Sequence, residues 1–300
     1  MKKILVIGST VVDVIIELMD RLPKTGEDVH VRRQQMSLGG CAFNVSDSIR
    51  HFQVPYILFS PVGTGIYGYF VREELKKRDI SSPIPSPNQD NGCCYCFVES
   101  TGERTFSSYH GAEYLFRREW FDLIKTEEID SVYICGLEIE EVTGDVIVDF
   151  LEKNPQLKIF FAPGPRLTVI DSLLLDRIYR LSPILHLNES EALEVTRAQQ
   201  ITQAARSLYD RTHNTVIITL GDKGCYYYDG DKDDIVPPVK TRQVDTIGAG
   251  DSHIGSVIAC LKRGQSLSAA IASANKVAAA VVGNSSAILP DEEFAKLDLI

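Results

Sequence analysis

Six short runs rich in β-branched and other apolar residues alternate along the chain with segments of helical period. The runs are Lys3–Ile7, Tyr56–Ser60, Ser131–Cys135, Lys158–Phe161, Ile184–Leu187 and Thr215–Leu220, and the helical segments lie near 41–52, 67–78, 142–152, 168–179 and 201–211. Strands that are apolar on both faces need cover on both faces, and this alternation is the signature of a parallel sheet with crossover helices. The expected fold is α/β, a mostly parallel sheet with helices on both faces. A length of 300 residues suits one large domain or two smaller ones; the reading adopted is a single domain over 1–300.

Two regions break the alternation. Val11–Leu18 with Val29–Met36, and Cys93–Glu99 with Arg104–Tyr109, read as strands not followed by helices, the second pair turning through "STGE". They predict a small antiparallel β lid inserted at about 11–36 and 93–109. The segment "SSPIPSPNQDNG", with three prolines, is its stiff connector.

Charge narrows the class of function. The formal net charge is -10 and the 31 Lys and Arg residues are scattered, so no basic stripe exists for a phosphate backbone and nucleic acid is not an expected partner. No apolar stretch approaches the roughly 18 to 20 residues of a membrane span. Seven cysteines form no disulfide framework, and a cytoplasmic location is expected. Cys93, Cys94 and Cys96 lie in a β-type run that splits them between two faces, so packing is favoured over metal binding.

The chemistry concentrates in "VDTIGAGDSHIGSVIACLKRG", residues 244–264. Ile254, Val257, Ile258 and Leu261 mark one helical face, which puts a helix start near Gly250. A helix start carries unpaired N–H groups and about half a positive charge, and Gly248, Ala249 and Gly250 lack the bulk that would keep an anion away. Asp251 would repel a bound phosphate unless it accepts a proton from a hydroxyl attacking that phosphate. The alternative is a tight turn with an acid placed favourably on the helix dipole.

"DTIGAGD" matches the D-T-x-G-A-G-D signature of the ribokinase-like carbohydrate kinases, the phosphofructokinase-B group, and the resemblance runs in order along nearly the whole chain. It implies an ATP-dependent phosphotransferase acting on a hydroxyl of a sugar or sugar-like molecule, with Asp251 as general base and Gly248–Gly250 as anion hole. "IGSTVVDV" resembles the opening strand and gives Asp13 as a substrate contact; "GGCAFNV" adds Gly39, Gly40 and Asn44. Asn188 and Glu191 in "LNESE" resemble N-x-x-E, implying Mg²⁺ held through water with Asn188 also near ATP, although the same spacing is a helix capping pattern. Thr219, Gly221 and Gly224 resemble the family's nucleotide loop, which could equally be a hairpin turn, and Asn275 falls on a segment resembling the family's Ala-rich helix beside the adenine, although Ala272, Ala274 and Ala278 more often mean close helix packing. The resemblance further suggests a monovalent cation (K⁺) near Asp245 and Ile247, and a homodimer through the lid.

Several positions depart from the pattern. Gly65 stands where an Asp is usual, Ala162 where many relatives carry Asp, and His253 where Phe is common; His253 is read as packing and Arg166 as a phosphate or substrate contact. "GTGIYG" fits a dinucleotide fingerprint but lacks the second strand ending in an acid. The alternatives to a sugar kinase are a nucleoside kinase (ribonucleoside or pseudouridine-type), in which Tyr95, Phe97 and Tyr109 could stack on a base although lid aromatics more often pack, and a non-catalytic sugar-binding relative.

Overall fold

A computed structural model describes residues 1–284 and 286–300. The strands are β1 (Lys3–Ile7), β2 (Val11–Leu18), β3 (Val31–Gly39), β4 (Tyr56–Phe59), β5 (Cys93–Val98), β6 (Arg104–Tyr109), β7 (Ile129–Cys135), β8 (Lys158–Ala162), β9 (Ile184–Asn188), β10 (Val216–Thr219), β11 (Cys225–Tyr228) and β12 (Asp233–Val236). The helices are α1 (Cys41–His51), α2 (Gly65–Lys77), α3 (Gly136–Glu140), α4 (Gly144–Lys153), α5 (Ser172–Arg180), α6 (Glu189–Thr196), α7 (Ile201–Thr212), α8 (Ala249–Lys262), α9 (Leu267–Val282) and α10 (Asp291–Ala295).

Eight strands form the main sheet in the order β12-β11-β10-β9-β8-β7-β1-β4. The run from β10 to β4 is parallel, while β11 and β12 are added antiparallel at one edge. Alternation along each strand divides the apolar residues between two cores. Ile4, Val6, Tyr133, Phe160 and Ile217 face one, with α1, α2, α8 and α9 over them. Leu5, Ile7, Val132, Ile134, Phe161 and Ile218 face the other, covered by α4, α5 and α7. Each of these fully buried side chains contributes about 1.5–3 kcal/mol, so a one-residue slip in any central strand would exchange the two sets and is strongly disfavoured.

The lid is a separate four-stranded sheet in the order β3-β2-β5-β6. Its two hairpins are antiparallel, and a parallel pairing of β2 with β5 joins them. Val12 and Val14 are buried in the core that α1 and α2 help to cover, which anchors the lid to the main sheet. The expected strand at 29–36 runs on to Gly39, so β3 delivers Gly39 and Gly40 directly to the start of α1. The helix expected near 168–179 begins at Ser172, where the Asp171 carboxylate accepts from the Leu173 and Leu174 amides and fixes the start.

α1 and α8 cross closely at Gly255. A Cβ there would lie 2.7 Å from the Val45 carbonyl oxygen and 2.8 Å from the Ser48 Cβ. Replacing Gly255 with alanine should therefore push the two helices apart. The expected cost is that of overpacking, about 1–3 kcal/mol, read as a melting temperature lowered by roughly 3–10 °C. An unchanged melting temperature would mean that the helices are not in contact there.

Candidate active site

A cleft of about 990 Å³ opens at the C-terminal ends of β9 and β10, where ligands of open α/β sheets bind. Asn188, Thr219, Gly221 and Gly224 line one side; Ala249, Gly250, His253 and Asn275 line the other. Gly248 is the N-cap of α8 with φ 74°, and a Cβ on it would sit 2.1 Å from the Ala287 carbonyl oxygen. Only glycine meets both demands. At Gly250 a Cβ would meet no atom within 4 Å, so the start of α8 is open beside that residue, while the Ala249 amide donates to the Thr246 carbonyl at 3.3 Å.

Next to that turn lies a nest of carboxyl groups. Asp251 is partly buried, and its Oδ2 accepts a 2.9 Å hydrogen bond from Asn44 Nδ2. Burial raises its pKa to about 6, against the lowering effect of the Asn44 bond and the Cys41 thiol. Asp13 lies over Gly39, where a Cβ would fall 2.0 Å from its Oδ2. Burial, then the charges of Asp251 and Asp245, push Asp13 to about 7. Glu138, fully buried on α3, reaches about 7 by burial, although its Oε1 accepts from the Ser9 amide at 2.7 Å. Glu138 is a site residue that the sequence reading missed. Its signal was position: α3 starts where β7 ends, at the same C-terminal edge of the sheet as the cleft.

Among the described residues, the buried Glu138 Oε2, Asn44 Oδ1 and Thr10 Oγ1 have no hydrogen-bond partner within the protein. Buried polar atoms are rarely left so, and three acceptors or hydroxyls in one neighbourhood suit a ligand rich in hydroxyl groups.

The lid turns one face to this nest. In register, Asp13 pairs with Cys94 and Cys94 with Ser108; two and four positions along, the same face carries Cys96, Phe106 and Arg104. Tyr95, Phe97 and Tyr109 belong to the opposite face, and the Tyr95 hydroxyl bonds that of Tyr67 on α2 at 3.1 Å. Strand alternation points these three away from Asp13, in keeping with the packing role rather than with stacking on a base. Arg104 Nη1 instead donates to Asp245 Oδ1 at 2.6 Å, and the Ile247 amide donates to the same oxygen at 2.9 Å.

Other expected residues sit as follows. Asn188 and Glu191 form a complete capping box at the start of α6, with Asn188 Oδ1 accepting from the Glu191 amide and Glu191 Oε2 from the Asn188 amide, each at 2.9 Å. Asn188 borders the cleft, and Glu191, one turn along and bonded to it, is next to that wall without lining it. Thr219 ends β10, and Gly221 and Gly224 form the turn of the β10–β11 hairpin. Asn275 Nδ2 donates to the Val236 and Pro237 carbonyls, so its Oδ1 must accept, and His253 Nε2 donates to it at 3.1 Å. His253 Nδ1 then accepts from His186 Nε2 at 2.9 Å. His253 is thus more than packing: it makes no bond to Asp251 but forms a polar link in the cleft wall. Burial holds it neutral, its pKa lowered to about 4.

Arg166 is paired with Glu140 through two hydrogen bonds, with part of its side chain still exposed. At the Gly65 departure, Thr64 Oγ1 donates to Asp90 Oδ1 at 2.7 Å, and the Asp90 carboxylate lies against Gly65. An acid from the connector therefore fills the place where the pattern has a side chain.

Comparison with known proteins agrees with this geometry. The pfkB family carbohydrate kinase model matches residues 1–293. An uncharacterized sugar kinase, YegV, of Escherichia coli K12 is 32% identical over 288 residues, covering 94% of this chain and 89% of that protein. A solved ribokinase from Thermotoga maritima superposes with a TM-score of 0.83 at 22% identity, covering 99% of both chains. A ribokinase from Arabidopsis thaliana, solved with ribose and ATP, gives 0.81 at 18% identity, covering 99% of this chain and 98% of that one. Sheet order, lid, cleft and matched sequence together lead to one statement: the chain belongs to the pfkB family of carbohydrate kinases.

Proposed function

We propose that this kinase transfers the terminal phosphoryl group of ATP to a hydroxyl of a free sugar or sugar-like molecule, with Asp251 as general base. The observation that carries the proposal is the junction at the start of α8, where a carboxylate bonded to Asn44 adjoins a bare Gly-Ala-Gly turn opening on the cleft. Amides and carboxylate have opposite preferences. The first attract the phosphoryl group and the second attracts the proton that must leave the attacking hydroxyl.

In this reading the sugar lies between lid and core. Asp13, the Gly39–Gly40 backbone, Asn44 and Glu138 supply partners for its hydroxyl groups, and the unpartnered Glu138 Oε2 and Asn44 Oδ1 are filled by them. Asp251 accepts the hydroxyl proton as the oxygen attacks the terminal phosphorus, and the bond from that phosphorus to the bridging oxygen of ADP breaks. The amides of Gly248 and Gly250 stabilise the charge on the transferring group, each donor worth roughly 3 kcal/mol, while that of Ala249 is bonded to the Thr246 carbonyl and shapes the turn. The adenosine end extends past Thr219, Gly221 and Gly224 towards Asn275.

Among the described residues no group of three or more His, Cys, Asp or Glu is arranged as a metal cage. Mg²⁺ needs none, because it keeps several waters and takes one or two carboxylates beside the phosphates. The capping box leaves Glu191 a second carboxylate oxygen, so Asn188 and Glu191 would hold Mg²⁺ through water, where it supplies neutralisation of phosphate charge. A nucleoside is the second reading: Phe106 shares the lid face of Asp13 and is half exposed, so an aromatic ring is available to a base there.

Asp251→Asn should lower turnover by about 10² to 10⁴ in an ADP-release assay across pentoses, hexoses, ketoses and nucleosides. An undiminished rate with the best acceptor would remove Asp251 from the chemistry. Because the base must be ionised, the wild-type rate should fall about tenfold per unit as pH drops below about 6, where Asp251 titrates. A rate flat down to pH 5 would contradict this.

The same shift has a stability consequence of opposite sense. A carboxyl whose folded pKa is raised contributes stability that is full below its unfolded value near 4 and lost as pH rises through the folded value. Asp251→Asn avoids that loss. Its melting temperature should match wild type near pH 4, exceed it increasingly up to about pH 6, and stay a few degrees higher above that. A variant that melts below wild type at pH 7.5 would contradict the buried-charge account.

A further inference from the structure

The Asp245 carboxylate is 93% removed from solvent, with only 7% of the residue exposed. A carboxylate so placed is costly unless a positive partner faces it. Here both donors converge on one oxygen: the Ile247 amide at 2.9 Å shapes the turn, and Arg104 Nη1 at 2.6 Å brings the charge. An alkali-metal ion at Asp245 would draw on the negative charge of the carboxylate, and that charge already faces a guanidinium, which would repel a second cation. The ion-paired carboxylate therefore does not fit the monovalent cation expected at Asp245 and Ile247.

The origin of the guanidinium gives this replacement a use. Arg104 is the first residue of β6, an edge strand of the lid, 141 residues from its partner. It shares the lid face of Asp13, whose carboxyl feels the Asp245 charge. Asp245 begins the turn that ends in Gly248, the N-cap of the helix presenting the anion-binding amides. We propose that Arg104 is a positioning residue that replaces the alkali-metal ion at Asp245, so that the lid supplies the charge that holds the anion-binding turn in place.

The effect on nucleotide binding rests on the phosphotransferase reading above; the charge replacement does not. Two measurements on the full chain separate them. The first is the melting temperature of the nucleotide-free protein in equal concentrations of tetramethylammonium, sodium or potassium chloride. The second is the Kd for the Mg²⁺ complex of a non-hydrolysable ATP analogue in the same salts. Wild type should change less than about twofold in Kd between salts and show no K⁺-specific rise in melting temperature. Arg104→Gln should bind the analogue about tenfold more weakly in tetramethylammonium, a loss within the usual range of coupling between sites. K⁺ should recover at least about threefold of that loss and raise the variant's melting temperature. Arg104→Lys, which keeps the charge, should stay within about threefold of wild type in every salt; it also serves as the test if the glutamine variant does not fold.

A wild type whose affinity rises about tenfold on exchanging tetramethylammonium for K⁺ would overturn the proposal. So would an Arg104→Gln variant indistinguishable from wild type in both measurements, or a lysine variant as weak as the glutamine one. If neither protein bound nucleotide while the melting temperatures followed the expected pattern, the phosphotransferase reading would fall and the charge replacement would stand.

Discussion

The hydrogen bond from Asn44 to Asp251 joins residues 207 positions apart, and the rest of the site is arranged around it. Asn44 rides on α1 and Asp251 on α8, so the bond can form only where those helices cross closely enough, as the bare flank of Gly255 allows. The two helices in turn pack on the main sheet, from which β1 leads to the lid strand β2 bearing Asp13 and β7 leads to the short helix bearing Glu138. A contact between two side chains thus depends on backbone packing many residues away.

That arrangement concentrates acid where water is scarce. Asp13, Glu138 and Asp251 all have raised pKa values, each chiefly because burial disfavours the ionised form. Such a cluster is a poor way to stabilise a fold and a useful way to handle hydroxyl groups, since each member is poised between accepting and donating near neutral pH. Asp245, close by, is treated differently: it meets a full positive charge and an amide. Neighbouring acids thus occupy two regimes, separated by whether a guanidinium reaches them.

Much of the frame was legible in the sequence because strand and helix periods are local properties. β1, β2 and β6 begin and end where alternation places them, and the DTIGAGD segment starts its helix within a residue of the expected position. What escaped were features set by tertiary register. Glu138 sits on a five-residue helix too short to show a period. The facing of Tyr95, Phe97 and Tyr109 depends on which side of the lid meets the core, which Val12 and Val14 decide by being buried in it. The pairing of Arg104 with Asp245, the occupation of Arg166 by Glu140 and the polar link through His253 all join distant segments and leave no mark on local spacing.

The parallel seam between β2 and β5 carries a consequence for how the molecule is made. Each hairpin of the lid is local, but at the seam the Asn91 side chain reaches the Thr10 carbonyl across 81 residues of chain. Loop closure over that span must precede any pairing along the seam. On a ribosome adding about 5 to 20 residues per second, the first hairpin waits several seconds for its neighbour, with one long edge of unpaired backbone exposed. Nascent chains of this kind are therefore most vulnerable to mispairing with one another before residue 98 emerges, and the bulk of the main sheet is still to come.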